Sequence, residues 1–507
     1  MILTGLWMFP LLGAGLLLLI PSQRHKTLHA LALLVALAYL LLTLLPWPQV
    51  WAQSSGWAYQ LVCPWIPSVG VSYGLALDGL SYALILLNSF VALLVIWISP
   101  LWIKQNVKSY YVYLFLLSAT VVGALLATDL ILFYIFWEAM LIPMAFLIGI
   151  FGSERRMQAA MKFFLYTMLG GLTMLVAIIG TAYVLRAETG YLSFAYEHFL
   201  RFGTSGHHWA PLFFGLMSLA FFIKIPLFPF YTWLPDAHTE APAGGSVILA
   251  AVLLKLGVYG LLRFLLPFYT SIYLSSSFLW AMLGVVGIIW GGFLAWSQND
   301  LKRLIACSSV SHMGFIVLGL FSGSLLALRG SLFQMLAHGL STGALFFMVG
   351  MMYARTHTRR MDDYGGLAKL APEFSFFFIY FCMASAGLPG LAGFVGEFLI
   401  LLGSFERYPW LTVAASLGVL LAAIYLLMLV QRVFFGPPKT ELHFAELSGR
   451  ERVVTWSLAI LILLLGVYPK PALMIFEASL KQAQIYLLPQ SLASPHHAQA
   501  GCGTDSV

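Results

Sequence analysis

An all-α polytopic membrane protein with about fourteen transmembrane helices is the fold the sequence predicts, on three observations. Of 507 residues, 61% are hydrophobic and only 9% charged, where a soluble domain carries about 25% charge. The apolar runs reach the roughly 20 residues that a helix needs to cross a bilayer. No alternating pattern of barrel strands accompanies them. Finally, lysine and arginine alternate between rich and poor loops, as topology requires.

The apolar segments run approximately over 2–20, 27–45, 77–99, 112–128, 130–150, 160–185, 211–234, 244–266, 277–296, 303–321, 329–353, 374–403, 410–434 and 453–470. The first has no basic residue ahead of it and is followed by Arg24 and Lys26. That order is the reverse of a secretory signal, so an uncleaved first helix is expected. Numbering the loops in order, one alternate set holds sixteen Lys and Arg, among them Lys104, Arg155, Arg303 and Arg359, and the other holds seven. The richer set belongs on the cytoplasmic side. Both termini then lie on the opposite side, which agrees with an even number of crossings.

The formal charge of +7 therefore reflects basic loops. No Lys/Arg run interleaved with aromatic residues points to nucleic acid. Cys63, Cys307, Cys382 and Cys502 are scattered, without the close spacing of a disulfide framework or iron–sulfur site. No phosphate-binding GxxxxGK[ST] loop or credible dinucleotide fingerprint is present. The tail beyond Pro489 is polar, and its His496–His497 pair reads as part of a disordered end.

Six ionisable residues sit where charge is costly: Glu138, Lys224, Lys255, His312, His338 and Glu397. At about 1.5 Å per residue, Lys255 is roughly 16 Å from each end of its helix. A charge at that depth costs about 3 kcal/mol even on the lenient insertion scale. Such groups at one depth point to a proton relay, an ion path or a substrate site, with structural ion pairs as the alternative. Lys162, near a helix end, can snorkel to the interface. Asp129 reads equally as a relay group and as a helix N-terminal acid. Asp236, His238 and Glu240 read as an entrance or a structural loop. Asp300, Lys302 and Arg303 should fix the start of helix 10, and Arg359, Arg360, Asp362 and Asp363 should form a solvated loop.

Two helices carry their own breaks. Lys224-Ile225-Pro226-Leu227-Phe228-Pro229 in helix 7 and Ala386-Gly387-Leu388-Pro389-Gly390 in helix 12 each interrupt the backbone ladder beside an ionisable residue. Matching interruptions in two halves suggest inverted five-helix repeats, helices 4–8 and 9–13. The expected organisation is three N-terminal helices in 1–110, repeats in 111–266 and 277–434, and a last helix with tail in 435–507.

Phe221 to Pro242, with Lys224 and Asp236-Ala237-His238-Thr239-Glu240 inside it, resembles the signature of the antiporter-like subunits of respiratory complex I. Asp300-Leu301-Lys302-Arg303 followed by Ser308 to Gly314, Leu77-Asp78-Gly79-Leu80-Ser81, and Trp137-Glu138 with Pro143 are similar to further signatures of that family. Among its three homologous subunits, the largest has a long lateral helix. Too few residues follow segment 14 here for that. Of the other two, one has lysine at the helix 12 break and one has glutamate, as Gly396-Glu397-Phe398 does here. Cys307 stands where the family pattern has tyrosine, so no proton role is carried to that position.

The resemblance implies one proton channel in this chain, a subunit of a proton-translocating NADH:quinone oxidoreductase in an energy-transducing membrane such as the bacterial inner membrane. It implies no cofactor or metal in the chain itself. FMN, iron–sulfur clusters and quinone belong to partner subunits. Partners would be other membrane-arm subunits, including the two homologous antiporter-like ones, and the lipid bilayer. Glu138 would hold Lys224 protonated. Lys255, His312 and His338 would pass the proton on, and Glu397 would be the exit. Alternatives are a cation/proton antiporter subunit of a multi-subunit exchanger, a membrane subunit of a hydrogenase- or formate-linked complex, and a scaffold that moves nothing.

Overall fold

The computed structural model describes residues 1–487 apart from 55, 206 and 438–442. The His496–His497 pair and Cys502 lie outside the described residues. Ten helices among the described residues are long and apolar enough to cross a membrane. Three shorter apolar helices, Ile2–Leu18, Ala210–Lys224 and Ala392–Phe405, join them. The chain is a mostly helical, polytopic, membrane-embedded protein.

A helix that is apolar all round belongs inside the bundle, whereas one with a lipid-facing side is only part-covered. The most apolar stretches of Leu301–Phe321 and Leu325–Thr356 are wholly buried by protein, and that of Ala243–Phe268 nearly so. These three helices form the centre. They also carry His312, His338 and Lys255. By contrast, Arg156–Thr189 leaves Leu165, Leu169, Leu172 and Val176 exposed along its outer face.

Both predicted breaks are present. Ala210–Lys224 ends at Lys224, and the chain resumes helix only at Trp233–Glu240. The freed Ile223 carbonyl accepts the Trp233 indole N–H at 2.9 Å, which satisfies it without water. Pro372–Ser385 and Ala392–Phe405 are parted by a turn in which Gly387 and Gly390 have φ of 79° and 92°. Those angles suit glycine and strain other residues.

The structure adds irregularities that apolar runs do not announce. The fifth segment is two helices, Leu130–Ala139 and Leu141–Phe151, meeting at Met140, two residues beyond Glu138. The eighth contains two wide π-turns, Leu249–Leu253 and Leu261–Leu265, on either side of Lys255. The all-α expectation is corrected by one antiparallel hairpin, Tyr59–Ile66 with Val71–Leu77, with Tyr59 opposite Leu77. Its strands are too short to count as spans, and the apolar end of the second runs directly into the Gly79–Ile98 helix. Beyond Gly449–Val467 the chain also forms Lys470–Ile475 and Glu477–Leu487, where the sequence reading placed only a tail.

These last helices fasten to the bundle through Asp78. Asp78 caps the Gly79–Ile98 helix by a reciprocal bond with Ser81, pairs with buried Arg263, and accepts the Ser479 hydroxyl at 2.7 Å. Arg263 is itself 4.5 Å from the Trp57 ring centre. Removing one partner of a buried ion pair costs about 3–5 kcal/mol. Arg263→Leu should therefore lower the thermal unfolding temperature in detergent markedly, and an unchanged temperature would show that the pair bears no load.

Candidate functional site

Lys255 is fully buried between the two π-turns. A π-turn replaces the i→i+4 backbone bond by an i→i+5 one. Lys255 Nζ donates to the carbonyl of Ala250 in the first of these turns, five residues back. It also lies 2.7 Å from His338 Nδ1. The sequence places Lys255 and His338 on different helices, and the central packing brings them into contact.

From His338 the line continues. The His338 and His312 ring centres are 5.5 Å apart. His312 Nδ1 is 2.8 Å from Glu397 Oε1, and His312 Nε2 is 3.2 Å from the Ser385 hydroxyl. Gln334 donates its amide to the same Glu397 oxygen at 3.0 Å. All of these residues are at most 3% exposed. Glu397 follows the Gly387–Gly390 turn by two helical turns, so the break delivers its carboxyl to the centre. His338 Nε2 and Gln334 Oε1 are buried without a protein partner.

Glu138 and Lys224 form the other end. Lys224 is 1% exposed, with its ammonium 5.1 Å from the Trp137 ring centre and 5.9 Å from that of Phe163. Cations favour such ring faces, most of all when desolvated. Glu138 is half-buried on the outer side, against Gly171 of the Arg156–Thr189 helix, where a β-carbon would collide with its carboxyl. Glu138 and Lys224 are electrostatic neighbours without a direct ion pair. Glu138 Oε1 and Lys224 Nζ have no protein hydrogen-bond partner. No described protein bond joins this end to Lys255.

The six candidates thus fall into a four-residue contact line, Lys255, His338, His312 and Glu397, and a facing pair. Sequence reasoning missed Gln334 and Ser385, because neutral polar residues in a helix carry no depth penalty large enough to stand out. It also undervalued His238. That ring is fully buried, stacks parallel on Phe346 at 4.6 Å, and has both nitrogens without a protein partner. It does not line an open entrance.

The other charged residues the sequence singles out make specific contacts, and Asp236 and Glu240 also line a polar cavity with Lys162 and Arg303. Asp129 caps the Leu130–Ala139 helix and holds the Ser72 amide and hydroxyl at 2.8 and 2.9 Å, which uses its oxygens. Asp236 pairs with Lys162 at 2.7 Å and Arg303 at 3.3 Å. Glu240 accepts the Arg155 amide. Asp300 caps the Leu301–Phe321 helix and pairs with Arg359 at 3.2 Å. Arg359 also donates to the Ser153 hydroxyl and the Thr239 carbonyl, so it clamps three segments and is not the solvated loop residue expected. Cys307 is a buried free thiol. Among the described residues, no group of three or more His, Cys, Asp or Glu side chains is placed to hold a metal ion.

Residues 127–424 match the family described as NADH:quinone oxidoreductase/Mrp antiporter, transmembrane. NADH-quinone oxidoreductase subunit M of Pseudomonas aeruginosa is 41% identical over 501 residues, covering 96% of this chain and 98% of that one. A chain of respiratory complex I from Thermus thermophilus with bound NADH is similar in structure, with a TM-score of 0.86 and 31% identity over 96% of this chain and 99% of that one. A chain of the Mrp complex from Dietzia sp. DQ12-45-1b shares the fold at a TM-score of 0.82 and 19% identity, over 95% and 97% of the two chains.

Proposed function

Since the chain belongs to the NADH:quinone oxidoreductase/Mrp antiporter membrane family, with full-length relatives named NADH-quinone oxidoreductase subunit M, we propose that its buried line is the proton path of that subunit. The chain is a proton-translocating membrane-arm subunit of a multi-subunit NADH:quinone oxidoreductase. The observation that carries the path is the continuous buried contact from Lys255 through His338 and His312 to Glu397. Intramembrane ionisable groups that face the interior and contact one another mark proton relays.

In this reading Glu138 and Lys224 are the control pair. While Glu138 faces Lys224, the lysine holds its proton. A charge change in a neighbouring subunit draws Glu138 away, and Lys224 releases its proton inward to Lys255 by way of water. His338 and His312 carry it on, as imidazoles with an unperturbed pKa near 6.5 are able to do. Glu397 is the exit group. Gln334 orients its carboxylate, and Gln334→Leu should slow translocation roughly tenfold, the worth of one hydrogen bond to a charged group. Complex content should stay normal, as immunoblotting of native gels would show.

The same reading assigns fourteen crossings, inverted repeats over 111–266 and 277–434, and both termini to the non-cytoplasmic side of a bacterial inner membrane. It leaves FMN, iron–sulfur clusters and quinone to partner subunits, and makes the two homologous antiporter-like subunits neighbours in the arm. The chain would do no redox chemistry itself. The breaks at Lys224 and before Glu397, and the six basic-rich loops, support that arrangement.

An exchanger subunit is the second reading, and 19% identity to the Mrp chain supports only a common fold. The test is mild-detergent purification of the tagged chain from its native membrane. Flavin and iron–sulfur subunits with NADH:quinone activity are expected to copurify. Small exchanger subunits without that activity would overturn the assignment.

A further inference from the structure

A cavity of about 390 Å³ opens at the end of the bundle where the basic loops gather, bounded by Lys104, Lys302 and Arg359 and walled by Trp102 and Tyr353. It is separate from the buried line. No carboxylate lines it.

Its lysines are not paired with acids. Arg359 pairs with Asp300 and donates to Ser153 and Thr239. Glu240, the other nearby acid, turns to the Arg155 amide. Lys302 is 6% exposed, and its ammonium donates to the Ala241 carbonyl, not to an acid. Lys104, at the rim, donates to the Pro100 carbonyl at 2.7 Å. An ammonium has three donors, so each lysine keeps donors in reserve. Trp102 adds a buried indole N–H with no protein acceptor. The cavity therefore offers two lysines that are in no direct ion pair and a fixed neutral donor, beside an aromatic wall. That set repels cations and suits a ligand with several acceptor oxygens and negative charge.

We propose that this cavity binds a phosphate group, carried either by an anionic phospholipid or by a free phosphate compound, with Lys302 and Lys104 as its cationic ligands and the Trp102 indole as a hydrogen-bond donor. Trp and basic side chains at the headgroup level of a membrane favour the first source. A soluble phosphate entering from the aqueous side uses the same atoms.

The test uses the intact purified complex in nanodiscs. A photo-crosslinking phosphatidylglycerol is compared with a phosphatidylcholine probe, and labelled peptides are mapped. Preferential phosphatidylglycerol labelling of the peptides holding Trp102 and Tyr353 is expected. Lys104→Gln should reduce it roughly fivefold, the worth of one cation at a membrane surface. Ala354→Trp, which fills the mouth from an exposed lining position, should remove it while the complex assembles. Excess inorganic phosphate that displaces the probe identifies a free phosphate compound as the ligand. Displacement only by unlabelled phosphatidylglycerol identifies the lipid. Equal labelling by both probes, no labelling of these peptides, or labelling unchanged in both variants would overturn the proposal.

Discussion

Glu397→Gln should stop most of the proton translocation carried by this chain, while Glu397→Lys should keep a substantial part of it. Glutamine preserves the volume and the hydrogen bonds to His312 and Gln334 but cannot take or release a proton. A positioned proton-transfer group contributes about 10²- to 10⁴-fold, so a loss on the order of a hundredfold is expected for glutamine. Lysine restores a titratable group at the same depth, and the family resemblance includes a sister subunit with lysine at this break. The measurement is initial-rate acidification of the vesicle lumen, normalised to assembled complex. If the glutamine variant translocates as well as the parent, Glu397 is a structural partner of His312 and not the exit.

Lys224→Met is the second large effect, for a different reason. Glu138 is only half-buried, whereas Lys224 is enclosed by aromatic rings and lacks a protein hydrogen-bond partner. Methionine fits that apolar enclosure, so assembly should survive. What disappears is the charge that Glu138 senses and the proton it controls. Because the account couples this pair to the neighbouring subunit, quinone reduction should also slow. A general loss of assembly would leave the two rates in their original ratio, whereas loss of the control pair lowers translocation by more than electron transfer. Glu138→Gln should produce the same pattern more weakly, since Lys224 then remains and is only left without its controlling carboxylate.

The legible parts of this molecule are those with a steep energetic signature. Apolar runs announce helices because a bilayer tolerates little else. Lys255, Lys224 and Glu397 stood out because a charge at mid-membrane is costly. Pro226, Pro229, Gly387 and Gly390 marked both breaks because proline removes a donor and glycine accepts positive φ. What stayed hidden has a shallow signature. The π-turns around Lys255 have no residue code in Leu249–Leu253. The hairpin at 59–77 is short and borders an apolar helix. Asp129 could not be sorted from a relay acid until Ser72, fifty-seven positions earlier, was seen to occupy its carboxylate. The pairing of Lys255 with His338 was equally out of reach, since depth along a helix does not say which neighbour it faces.

The reach of the contact line also explains why its members should not act alone. His338 sits between Lys255 and His312, so changing either neighbour changes its surroundings. Single substitutions within the line are therefore expected to be non-additive, as coupled neighbours are in general. Glu138 and Lys224 lack a direct bond to the line but feed the same path, so their losses of translocation should also combine with those of the line non-additively.

The most direct test of the central claim is the number of protons translocated per NADH oxidised by the purified complex in sealed proteoliposomes, compared between the parent and Lys224→Met. A lower ratio in the variant, with the complex fully assembled, is the predicted result. An unchanged ratio would mean that protons do not pass under the control of this chain's buried lysine, and the path argued from Lys255 to Glu397 would have no function to perform.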